Sequence, residues 1–158
     1  MGIFDKFFKN ASSESKFVYT PKSEQEAWVA ILYACAGAEG NVSDVEIEKI
    51  SSVVVLKTLF NPYKTQLVPT LFKPVIDAFK QVGSKALIDS SAPLIADENK
   101  ATLFCLVFDL LLADGTLGEG EKEIAEYLIE KLNLDSGIAE KIIEVLLIKN
   151  KYAVVIRG

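Results

Sequence analysis

The chain has 158 residues, half of them apolar and a quarter charged, and seventeen basic against twenty-two acidic side chains leave a net charge of −5. That length suits one compact domain with its own core, and the acidic excess argues against nucleic acid as a partner, because Lys and Arg supply the affinity for phosphate backbones. Histidine is absent, which excludes Ser-His and Cys-His catalysis and His-ligated zinc.

Residues 1–23 read as a leader. Its start, Met1-Gly2-Ile3-Phe4-Asp5-Lys6-Phe7-Phe8-Lys9, is too short and too charged for a secretory signal, and Lys6 breaks the myristoylation pattern. On a helix Ile3, Phe4, Phe7 and Phe8 share one face. Two readings follow: peripheral contact with a membrane or partner through residues 1–9, or docking on the chain's own domain or disorder. A small-polar linker, Asn10 to Ser15, separates this segment from the rest. No stretch approaches the roughly 20 uninterrupted apolar residues that span a bilayer. Cys35 and Cys105 sit among apolar neighbours and read as buried free thiols rather than a disulfide or reactive pair, for which a reducing cytoplasm is the simplest home.

From Ser23 onward the spacing is helical. Ala27, Trp28, Ile31, Leu32 and Cys35 repeat at three and four residues, as on a buried helix face. A second helix is expected to start at Ser43, turn Ile47, Ile50 and Val54 inward, and end at Asn61-Pro62. Pro69, Pro74 and Pro93 are expected to cut residues 63–96 into shorter helices. Ala101 to Ala113 reads as a central core helix, through Leu103, Leu106, Val107, Leu110 and Leu111. Residues 119–133 and 136–149 complete the set, with Ile124, Leu128 and Leu132, then Ile138, Ile142, Val145 and Leu146, facing inward. The tail at 151–158 has β propensity in Tyr152 to Ile156, but a lone strand has nothing to pair with. The expected fold is all-α: a compact single domain of six to eight helices over residues 24–150.

An internal repeat underlies this pattern. Ala38-Glu39-Gly40-Asn41-Val42-Ser43-Asp44-Val45-Glu46 returns as Ala113-Asp114-Gly115-Thr116-Leu117-Gly118-Glu119-Gly120-Glu121. Each copy joins an apolar helix to an amphipathic one, so the domain is expected to consist of two pseudo-symmetric helix-turn-helix halves. Locally, Gly40 and Gly115 suit the left-handed conformation that terminates helices. Ser43 with Glu46 reads as a capping box, and Gly118 with Glu121 as a weaker version lacking a side-chain oxygen. Taken together, halves packed face to face would bring Glu39, Glu46, Asp114 and Glu121 into one cluster. Converging carboxylates raise one another's pKa values unless a cation intervenes, and an all-oxygen donor set favours Ca²⁺, Mg²⁺ or Mn²⁺; the alternative is a metal-free interaction domain whose acidic cleft binds a basic peptide or co-chaperone-type partner. A standard EF-hand is excluded, because aligning Gly115 or Gly40 with the loop glycine puts Leu110 and Leu112, or Cys35 and Gly37, at the first two ligand positions.

Phosphate-loop, dinucleotide, zinc-protease and nucleophile-elbow motifs are all missing. Asp109 is expected either to face the acidic cleft or to hydrogen-bond at a helix contact, and Lys149, Lys151 and Arg157 to form a solvated basic tail.

The two turns resemble those of the TerB-like family of tellurite-resistance and stress-response proteins, whose signature is Ala-Asp-Gly, an apolar residue, a Ser-like cap and a Glu. Ala113-Asp114-Gly115-Thr116-Leu117 with Glu121 matches except for Gly118 at the cap. Ala38-Glu39-Gly40-Asn41-Val42-Ser43 with Glu46 keeps the cap and has Glu39 for Asp. The Gly-Ile-Phe-Asp-Lys start is also similar. The resemblance implies an all-helical, non-catalytic domain with metal-binding acidic residues, acting in bacterial stress-response assemblies with other stress-response proteins and chaperone-like partners.

Overall fold

The computed structural model describes residues 17–152 together with the backbone of Val154 and Val155. The expectations for the Phe/Lys segment, the small-polar linker and Arg157 fall outside these residues. The described part of the leader, residues 17–23, forms no helix or strand and buries Tyr19 and Pro21.

The domain is all-α, with six α-helices among the described residues. Helix α1 (Glu24–Ala36) begins where Ser23 Oγ accepts the Glu26 N–H. Every residue from Glu26 to Cys35 is buried, so the expected apolar face widens into a helix enclosed on all sides. Its Trp28 meets Phe60 edge-on at 5.8 Å. Helix α2 (Asp44–Val54) starts at the Ser43 capping box and buries Ile50 and Val54, with Ile47 half-buried. It ends well before Pro62. The β-branched run Val53-Val54-Val55 weakens the helix, and extended backbone at Lys57 then leads into a 3₁₀ turn, Thr58–Tyr63, that places Phe60 fully in the core.

The middle region is less fragmented than its prolines suggest. Pro69 sits in a π-helical turn, Leu67–Phe72, and Pro74 lies in the first turn of α3 (Lys73–Ser91), where its missing N–H costs nothing. The interruption falls instead at Gly83, whose φ of 80° kinks α3. Pro93 lies in the short 3₁₀ turn Ala92–Leu94.

Helix α4 (Lys100–Ala113) is the expected core helix and buries Leu103, Phe104, Val107, Phe108, Leu111 and Leu112. Helices α5 (Glu119–Lys131) and α6 (Ser136–Lys149) follow. Helix α1 packs mainly on α3 and α4, with α2 beside it, while α6 covers the far side of α4. Helix α6 is rotated from expectation. It buries Ala139 and Leu146, half-buries Ile142, and turns Ile138 and Val145 to solvent. Beyond it, β2 (Val154–Val155) pairs in parallel with β1 (Thr116–Leu117). The tail strand therefore has a partner after all, the second acidic turn, whose extended residues no short-range pattern marks as a strand. No helix among the described residues is long and apolar enough to cross a membrane. Cys35 is buried, Cys105 is half-buried, and both are free thiols.

Candidate functional site

The two repeated turns meet. Glu39 lies three residues past the end of α1, and its Oε1 accepts the Gly120 N–H of α5 at 2.9 Å. Asp114 closes α4, and Lys49 Nζ of α2 donates to its Oδ1 at 3.0 Å. Gly40 and Gly115 take φ values of 141° and 89°, the left-handed region their positions were expected to need.

Glu39 resolves the anomaly at Gly118. A glycine N-cap has no oxygen for the first helical turn, so α5 would start with unanswered donors. The carboxylate of the other turn answers one of them. With Glu39 where it stands, neither 118 nor 120 has room for a Cβ. A Cβ at Gly118 would lie 2.3 Å from Glu39 Oε1, and one at Gly120 would lie 2.7 Å from Glu39 Cγ. A negative group here also complements the helix macrodipole.

Glu46 and Glu121 act locally as well. Glu46 Oε1 accepts from the Ser43 N–H and from the Ser43 hydroxyl, both at 3.1 Å, and Glu121 Oε1 accepts from the Gly118 N–H at 3.0 Å. Each of the four expected site residues thus has a hydrogen-bonded oxygen, and Glu46 and Asp114 line one small cavity with Lys49. The second oxygen of each carboxylate accepts no hydrogen bond among the described residues. Burial raises the Glu121 carboxyl above its usual range, and the charges of Glu39, Asp114 and Glu46 add to this against the opposing Gly118 N–H. The Tyr33 hydroxyl is also raised, by burial and then by Glu46.

Sequence reasoning missed Lys49. It stands one helical turn beyond Glu46, and that spacing was the available signal. Its partner Asp114 comes from the other half, so the pairing itself needed the fold. Beneath this ion pair Leu32, Cys35, Ile50, Val107 and Leu111 line a well of about 20 Å³, room for a single water. Burial pushes the Cys35 thiol up to about 12, so it is no thiolate at neutral pH.

A hard cation suits the donor set, since every candidate ligand atom is a carboxylate oxygen. As the side chains stand, no three acidic or cysteine residues among those described are grouped closely enough to hold one. A cation held by these residues would therefore require the side chains to move closer together.

Asp109 belongs elsewhere. It accepts from Lys149 Nζ at 3.0 Å and Asn150 Nδ2 at 2.9 Å, linking α4 to the end of α6, while Lys149 and Lys151 are both exposed to solvent as expected. Comparison with protein families, curated proteins and solved structures finds no match for this chain.

Proposed function

We propose that this chain is a non-catalytic, TerB-like stress-response module of the tellurite-resistance type, acting in the cytoplasm with other stress-response proteins. In this reading the cleft between its two acidic turns takes up a divalent cation, Ca²⁺, Mg²⁺ or Mn²⁺, on Glu39, Glu46, Asp114 and Glu121. The supporting observation is the meeting of the two turns, by which carboxylates far apart in sequence come to share one electrostatic environment. A cation would relieve the repulsion that burial concentrates on Glu121.

Thermal melts with and without millimolar cation test this. A cation at 100 times its dissociation constant adds about 2.7 kcal/mol if it binds only the folded form. That is a melting-point rise on the order of 5–10 °C for a domain of this size. Asp114→Asn with Glu121→Gln should abolish the response. Identical wild-type curves in the two conditions would refute the cation reading.

A second reading rests on the present hydrogen bonds. Each of the four carboxylates already has a partner, and Lys49 supplies positive charge at Asp114. On that basis the cleft is a metal-free surface that binds a basic peptide or a co-chaperone-type partner. Saturable peptide binding that a chelator leaves unchanged is its expected signature.

A further inference from the structure

Helix α6 is apolar around most of its circumference, yet it buries only Ala139 and Leu146. A surface helix ordinarily hides one apolar stripe and shows polar residues elsewhere. The face turned away from α4 instead presents Val145 and Ile148, at 60 and 72% exposure, and Tyr152 just past the helix end is 88% exposed, while Ile138, at 39%, borders Lys100 and Ala101 of α4. Single exposed apolar residues need no explanation. Val145 and Ile148, three residues apart with exposed Lys141 one turn before them, leave an apolar strip on one face, the spacing of a helix–helix seam.

The charges beside the seam indicate what covers it. Glu140 and Glu144 are exposed near the middle of α6, and Lys151 is exposed beyond its C-terminal end. Among the described residues Glu140, Glu144, Lys141 and Lys151 form no ion pair. A parallel neighbour of the same sequence would set Glu144 against Glu144. An antiparallel one brings Glu144 towards Lys151, which lies over the Tyr152 ring at 5.3 Å, twice over, with Val145 and Ile148 interlocked at the two-fold axis. We infer that this face of α6 binds a second copy of the chain, as an antiparallel, self-complementary dimer contact. The inference is independent of the acidic turns.

Sedimentation of the full chain in chelator-containing buffer, over about 1 to 200 μM, reads the contact directly. The wild type is expected to dimerise within that range. Val145→Glu with Ile148→Glu should raise the dissociation constant more than about 100-fold while leaving the thermal melt of the monomer unchanged, since both side chains are exposed. Glu144→Lys and Lys151→Glu should each weaken the dimer about three- to tenfold, and the two together should restore it. A wild type that stays monomeric overturns the inference, whether it stays in solution or moves onto anionic vesicles. A dimer indifferent to Val145→Glu with Ile148→Glu overturns it too. Charge variants that fail to rescue each other overturn the antiparallel arrangement.

Discussion

Glu39→Ala is the most direct probe of how the two turns depend on each other. The substitution removes the side-chain oxygen that reaches the start of α5, where Gly118 has none of its own. Loss of an N-cap acceptor costs about 1 kcal/mol. The accompanying loss of negative charge near the helix N-terminus falls within the same range. Unfolding should therefore shift by about 1 kcal/mol, or about 2–4 °C in melting temperature. Gly120→Ala supplies the control. Its Cβ would lie 2.7 Å from Glu39 Cγ and 3.1 Å from Oε1, so Glu39 must retreat and the bond is lost. Replacing glycine inside a helix returns up to about 1 kcal/mol, so this variant is expected to be near neutral alone. In its background Glu39→Ala should cost almost nothing, giving a coupling energy of about 1 kcal/mol. Urea unfolding followed by circular dichroism at low salt, with chelator present, measures all four corners of the cycle. Equal costs of Glu39→Ala in both backgrounds would refute the capping role. A gain in stability from Glu39→Ala would mean instead that repulsion from Glu121 outweighs the cap.

Lys49→Met leaves Asp114 without its cation and should tighten divalent-cation binding, read as a larger cation-induced melting shift; an unchanged shift would place the ion away from Asp114. The raised Glu121 carboxyl means that the folded state holds this proton more tightly than the unfolded chain. The contribution is complete below the usual carboxylate value of 4.5 and is lost as pH rises through the higher folded value. Glu121→Gln should flatten that part of the stability–pH profile, and an unaltered slope in urea titrations would count against the assignment. Tyr19→Phe strips the 2.7 Å hydrogen bond from the buried Glu26 carboxylate, and a cost of about 1–3 kcal/mol is expected. A chemical denaturation midpoint unchanged from wild type would argue otherwise. Cys35 should react with a thiol reagent only on unfolding, because it is buried and its thiol is pushed up to about 12; labelling of native Cys35 at neutral pH would contradict this.

Features set within a few residues could be read from the chain alone. Ser23, Ser43 and the Ser43–Glu46 box start helices where the sequence places them, because a cap is satisfied by donors two or three residues away. The apolar run of α4 identifies the core helix, and the repeat identifies the two turns that meet. Features decided by distant partners could not be read this way. The seat of Phe60 depends on Trp28 of another helix, and the orientation of α6 depends on which of its several apolar faces α4 covers. The tail strand pairs only because the fold brings β1 beside it. Glu39 is the sharpest case. Locally it is a turn residue before a glycine, and only tertiary structure makes it the cap of a helix that begins eighty residues later, at Glu119. Local sequence encodes short-range hydrogen bonds and which side chains avoid water, but an apolar face or a spare carboxylate oxygen carries no address until packing supplies its partner.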